Sequence, residues 1–209
     1  MKYLLTLLAS VMTALATMAQ TSNITDMQKF ENQLKETASK LISIESDFTQ
    51  VKHLDMFDED VTSKGKFYYL KDNKIRLDYS QPLNYLIVIN GTRLKIVADG
   101  KKSVMQLNSN KMMNEMQDII TACMVGSLNR MNDNYNLEYQ EDKEQFIVRI
   151  TPRSKVVKDY ISNIEIRLNK TDLSVDQLRM YENEADYTDY KFSNKHFNQL
   201  KDESLFSIE

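Results

Sequence analysis

SKGKFYYLKDNKIRLDYSQPLNYLIVING, residues 63–91, holds three strand-like runs joined by tight connections. Phe67 to Leu70 is the first run, and Lys71-Asp72-Asn73-Lys74 breaks it with turn chemistry. Ile75, Leu77 and Tyr79 then alternate with Arg76 and Asp78, the period of a strand with one apolar face. Gln81-Pro82 interrupts pairing, because proline has no N–H to give a ladder. Tyr85 to Ile89 is apolar on both faces, and Asn90-Gly91 closes it with a hairpin signal. The stretch predicts an antiparallel meander with one face too apolar for water.

Outward from this meander the chain keeps a consistent pattern. Ile24 to Ile42 reads as an amphipathic helix, with Met27, Phe30, Leu34, Ala38 and Leu41 at helical spacing. Ile44 to Leu54 alternates as a strand around Phe48, and Asp55 to Asp60 ends it. Beyond the meander come Arg93–Ala98 and Ser103–Leu107, joined by the turn Asp99-Gly100. From Lys111 to Met131 the spacing becomes three and four again, through Met112, Met113, Met116, Ile119, Ile120, Cys123, Met124, Leu128 and Met131, and predicts one striped helix. Strands return at Tyr135–Tyr139, Gln145–Thr151, Ile161–Leu168, Ser174–Tyr181 and Tyr187–Phe192. The tail from Phe197 to Ile208 reads as loop with a final short strand.

Met1 to Ala19 has a basic start at Lys2, an apolar run from Leu4 to Ala16 and small residues before Gln20. That layout predicts a secretory signal peptide (residues 1–19) cut after Ala19, leaving an exported, soluble single domain over residues 20–209. About ten strands and two helices predict an α+β chain, mainly β: a curled antiparallel sheet forming an incomplete barrel, with the helices over its mouth as a lid.

Composition excludes several classes of function. The formal net charge is −3 and no basic block exists, so nucleic acid is not an expected partner. Cys123 is the only cysteine, which rules out a disulfide framework or a cysteine-rich metal site. His53 and His196 lack ligand spacing; His53 with Asp55 and Asp58 reads as a solvated strand end. No G-x-S-x-G elbow or phosphate-cradling glycine loop is present. No metal, cofactor or catalytic residue is expected, and a secreted hydrolase with a carboxylate pair is the weakest reading. What remains is adaptable, methionine-rich apolar surface, with twelve methionines in the chain.

The order G-K-F-Y-Y-L-K, K-I-R-L-D-Y-S-x-P, apolar strand, N-G resembles the LolA-type periplasmic carriers of outer-membrane lipoproteins. Ser46-Asp47-Phe48-Thr49-Gln50 is similar to that family's x-x-F-x-Q, and Val148–Pro152 to its later strand ending in proline. Thr188 to Asn194, Asn198 and Leu205-Phe206 are similar to its C-terminal signature. The resemblance implies a non-enzymatic, monomeric lipoprotein chaperone in the periplasm that serves protein transport and outer-membrane biogenesis. It also implies partners: acylated lipoproteins or another lipid, an inner-membrane ATP-driven lipoprotein-releasing complex, and an outer-membrane acceptor. A binder or sensor of another lipid, glycolipid or lipoprotein signal is the alternative.

The site expected from this reading is a lipid-binding cavity lined by Phe48, Phe67, Tyr69, Ile75, Leu77, Tyr79, Leu86, Val88, Phe146 and Val148. Met112, Met116, Ile120 and Met124 are the expected lid. By the resemblance, Lys71 and Arg76 are its candidate latches.

Overall fold

The computed structural model describes residues 21–107, 117–119, 121–122, 128–131 and 134–209. The expected signal peptide lies outside them. A two-residue strand β1 (Ser22–Asn23) leads into helix α1 (Met27–Lys40), whose start is capped by Asp26 accepting from the Lys29 N–H at 2.9 Å. Phe30 and Leu34, four residues apart, are its buried pair. The chain then runs β2 (Ser43–Leu54), β3 (Glu59–Leu70), β4 (Lys74–Gln81), β5 (Tyr85–Asn90), β6 (Arg93–Ala98) and β7 (Lys101–Gln106). After the helical residues 117–119 and 121–122 come β8 (Tyr135–Glu141), β9 (Gln145–Pro152), β10 (Asn163–Asn169), β11 (Val175–Tyr181) and β12 (Tyr187–Phe197).

All twelve strands of the described residues join one antiparallel sheet in the order β1-β8-β9-β10-β11-β12-β2-β3-β4-β5-β6-β7. β1 and β7 stand at opposite ends unpaired with each other, so the barrel is incomplete as the sequence predicts. The long hairpin β2–β3 pairs every residue from Ser43↔Leu70 to Leu54↔Glu59. Glu59 and Asp60, which read as a strand-ending acidic run, therefore lie in β3. Their side chains are exposed, so backbone pairing extends there without burying charge. The turns follow sequence chemistry: Asp99 and Gly100 both take positive φ (51° and 73°), as does Gly91 (60°).

One face of the sheet is apolar and one polar, except at one place. The concave cluster includes Phe30 and Leu34 from α1, Phe48, Ile75, Val148, Ile166 and Phe192 from the sheet, and Ile119, Ala122, Leu128 and Met131 from the described part of the long apolar stripe. The convex face carries ladders such as Arg149–Glu165–Arg167 and Gln177–Asp189–Arg179. Over β4–β6 that face instead holds a second core, where Phe206 and Ile208 pack on Leu70 and Val88. The tail forms a 3₁₀ turn, Glu203–Phe206, in place of the expected final strand. Its backbone carbonyls are taken by side chains from the sheet, so it has no ladder to join.

The N-terminal arm is tied down by Glu141 at the end of β8. Its carboxylate accepts from the Thr25 N–H and hydroxyl, each at 2.8 Å, and pairs with the Lys170 ammonium at 2.6 Å. These bonds, that of Lys170 foremost, hold its pKa down to about 2 against an ordinary 4.5. A depressed carboxylate stabilises the fold fully above its unfolded pKa and loses that contribution as pH falls through the folded value. Between about pH 4.5 and 2 the wild type should therefore lose about 1–2 kcal/mol more stability than Glu141→Gln, allowing for solvent screening. Denaturant titrations across that window test it, and parallel losses would contradict it.

Candidate functional site

Alternation on each strand decides which side chains reach the concave space. β2 sends Ile44, Ser46, Phe48 and Gln50 inward, and the β3 partners of this row include Phe67 and Tyr69. β4 sends Ile75, Leu77 and Tyr79, paired with Ile89, Ile87 and Tyr85 of β5. Phe48, Phe67, Tyr69, Ile75, Tyr79 and Val148 from the expected set share one buried cluster, and the half-buried Leu77 and Phe146 pack against it.

Leu86 and Val88 require a correction. They pair with Asp78 and Arg76, so they share the outward face and pack under the C-terminal tail with Phe206. Ile87 and Ile89 take the inward places instead. Because β5 is apolar on both faces from Tyr85 to Ile89, alternation in its own residues does not mark the inner face; the register with β4 does.

Aromatic rings fill much of the concavity. Phe48 meets Tyr79 edge-on at 4.9 Å between centroids, Phe67 meets Phe192 at 5.4 Å, and Tyr79 stacks on Tyr85 at 3.9 Å. The Tyr79 and Tyr190 hydroxyls lie 3.2 Å apart, and burial raises the pKa of both, which keeps them neutral. Toward the other end, Phe30 of α1 packs on Phe146 at 4.6 Å and on Tyr139 at 5.9 Å. Helix α1 thereby lies across the open side of the sheet.

Between α1 and strands β2, β11 and β12 a cavity of about 220 Å³ remains. Leu34, Leu41, Ile44, Val175, Phe192 and Phe197 supply its apolar walls, and Ser46, Lys40, Lys195 and Asn198 are among its polar lining. Asn198 clips the α1–β2 connection: its side-chain oxygen accepts from the Ile42 and Ser43 N–H groups at 2.7 and 3.2 Å, while its amide donates to the Lys40 carbonyl at 3.1 Å. Sequence reasoning did not place these cavity residues in the site. Leu34 and Leu41 were visible only as a helix stripe, and no periodicity tells which strands that stripe will face.

The latch residues fall elsewhere than over the concavity. Lys71 is exposed in the β3–β4 turn, where its backbone N–H bonds to the Ile42 carbonyl at 2.8 Å. Arg76 points to the convex face, donating to Asp78 at 2.6 and 3.1 Å and to the Leu205 carbonyl at 2.9 Å. It holds the tail, not a helix over the concavity. Met112, Met116, Ile120 and Met124 lie outside the described residues. Nearby, Gln117 donates to the Gly91 carbonyl at 2.8 Å and joins this stretch to the β5–β6 turn. His53 stacks on Tyr187 and pairs with Asp60 at 2.8 Å, and no cluster of three metal-ligating side chains occurs among the described residues. Nor is any described helix long and apolar enough to cross a membrane.

Residues 39–209 match the family model described as outer membrane lipoprotein carrier protein LolA. No curated protein matches the chain. Among solved structures, it is similar to an uncharacterized conserved protein from Thermus thermophilus, at 10% identity and a TM-score of 0.50, covering 85% of this chain and 91% of that one. It is also similar to a putative outer membrane lipoprotein-sorting protein domain from Vibrio parahaemolyticus, at 12% identity and 0.49, covering 85% and 94%. A third likeness is to the Mycobacterium tuberculosis lipoprotein LppX, at 11% identity and 0.46, covering 82% and 94%.

Proposed function

The chain belongs to the LolA family of outer membrane lipoprotein carrier proteins, and from that premise we propose that it is a non-catalytic carrier that shelters acyl chains on its concave face. The family fold points to lipid or lipoprotein binding. The observation that carries the reading here is the cavity left between α1 and an otherwise closely packed apolar face. An acyl chain gains about 0.8 kcal/mol for each methylene it buries, so it will not cross water bare. A partly open sheet offers that burial while leaving a way out, which a vessel for transfer requires.

In this reading the cargo is the acylated N-terminus of a lipoprotein, taken from an ATP-driven inner-membrane complex and passed across the periplasm to an outer-membrane acceptor. The apolar stripe of residues 111–131 serves as a cover that cargo displaces, because closure and cargo compete for the same surface. Native mass spectrometry of the protein isolated from its own periplasm tests the cargo. A co-purifying lipoprotein supports this role; a glycolipid or free lipid in its place identifies the alternative cargo.

Val175, 5% exposed, stands in the cavity wall. Val175→Phe should fill part of the space and weaken binding of a fluorescent fatty-acyl probe on the order of tenfold, since excluding two methylenes at ~0.8 kcal/mol each removes about that factor. The thermal midpoint should hold or rise. Unchanged probe affinity would move the binding site away from this cavity.

A further inference from the structure

Apolar side chains dominate the wall of the α1 cavity, but β2 brings a hydroxyl to it. Ser46 is 2% exposed, and its Oγ has no hydrogen-bond partner among the described residues. It stands between the inward-facing Ile44 and Phe48 and lines the cavity directly. A buried hydroxyl without a partner bears its full desolvation cost, so its presence there asks for a ligand atom to accept its hydrogen.

The neighbouring charges say which kind of atom. Pairing between β12 and β2 shifts between Ser193 and His196, opposite Ser46, and within this bulge Asn194 takes a left-handed φ of 51°. The bulge carries Lys195, which also lines the cavity. Its ammonium is already held at 2.5 Å by both the Asp176 carboxylate and the Ser174 hydroxyl. Asp172 adds a further negative charge to the lining. Lys40, the other cation of the lining, is paired with Glu36 at 2.6 Å, so a carboxylate or phosphate seated here would find no unpaired cation among the lining side chains. A neutral carbonyl needs only the Ser46 donor.

We infer that the cavity takes a single fatty-acyl chain with its ester carbonyl against Ser46, which donates its hydroxyl hydrogen to the carbonyl oxygen. The inference rests on the acyl-carrier reading above and adds to it the chemical class and number of the chains held at this site. At about 220 Å³ the space is below the ~300–1,000 Å³ of ordinary ligand pockets, and so suits one chain segment and not several. The serine makes the site selective for acyl esters over hydrocarbon of equal length.

Methyl decanoate and decyl methyl ether match in length and differ in the carbonyl. Their affinities for the full mature chain, wild type and Ser46→Ala, are read by displacement of a fluorescent acyl probe. The wild type should prefer the ester. Ser46→Ala should lose roughly three- to tenfold in ester affinity, the share of one neutral hydrogen bond, with the ether unchanged. The variant should melt at the same temperature or a few degrees higher, because an unpartnered buried hydroxyl has been removed. Equal effects on the two ligands, no effect on either, or a lowered midpoint would each overturn the assignment. Failure of every probe to bind the wild type would instead refute the carrier reading itself. A diacylglyceryl-cysteine peptide set against a diacyl phospholipid of the same chain length then distinguishes a lipoprotein from a membrane lipid as the source of the ester.

Discussion

Phe206→Ala should destabilise the chain by about 3–5 kcal/mol while leaving acyl binding intact. Phe206 is fully buried on the convex face, in a cluster with Leu70, Val88 and Ile208. That cluster exists only because the tail is pinned down. Arg76 donates to the Leu205 carbonyl, Asn90 to that of Phe206 at 3.1 Å and Lys95 to that of Ser207, while Lys74 pairs with Glu203 at 2.8 Å. Removing the ring leaves a hole between strap and sheet and loosens the carbonyls from their donors. For a chain of this size the thermal midpoint should fall by about 2–4 °C per kcal/mol. The α1 cavity lies across the sheet, walled by other residues, so probe affinity measured well below the midpoint should not change. Lost affinity with an unchanged midpoint would show that the tail belongs to the binding site.

Gly65→Ala should cost about 3 kcal/mol and weaken acyl binding as well. A Cβ at this position would stand 2.1 Å from the Asp78 carbonyl oxygen and 2.8 Å from Cζ of Phe48. The first of these neighbours is backbone and has no rotamer to move into. Gly65 also sits where β3–β4 pairing shifts register, between Lys64 and Gly65, a place where a strand glycine lets another backbone approach closely. Relief of the clash must push β4 or the Phe48 ring, and both reach the concavity through the Phe48–Tyr79 contact. Gly91→Ala is the matched control: its φ is 60° but nothing lies within 4 Å of the added atom, so only about 1 kcal/mol of backbone strain is expected. Thermal melts of the two variants decide the matter, and equal losses would remove close packing as the reason for Gly65.

The residues on their own determined the kind of fold. Alternation of Ile75, Leu77 and Tyr79 against Arg76 and Asp78 set the inner face of β4, because a strand with one charged side has a single workable orientation. Gly91 after Asn90, and Asp99-Gly100, set two hairpins by taking positive φ. The apolar spacing of Phe30 and Leu34 marked a helix that had to lie on the sheet, since isolated it would expose that stripe. Most of the large aromatic lining of the concavity was visible at this level.

Tertiary structure alone decided the rest, wherever local pattern was silent or shared between two answers. β5 is apolar on both faces, so only its register with β4 assigns Leu86 and Val88 outward and Ile87 and Ile89 inward. A second core could not be foreseen there, because the Phe206 and Ile208 that cover it come from the far end of the chain. The family resemblance made Arg76 a candidate latch, yet its partner is set by which segment crosses that face, and the tail does. The cavity beneath α1 is made of Leu34, Ile44, Val175 and Phe192, residues distant in sequence that meet only when the sheet curls. Ser46 was an ordinary strand serine until that curl buried it, because hydrogen-bond satisfaction belongs to the packed assembly and not to any local stretch.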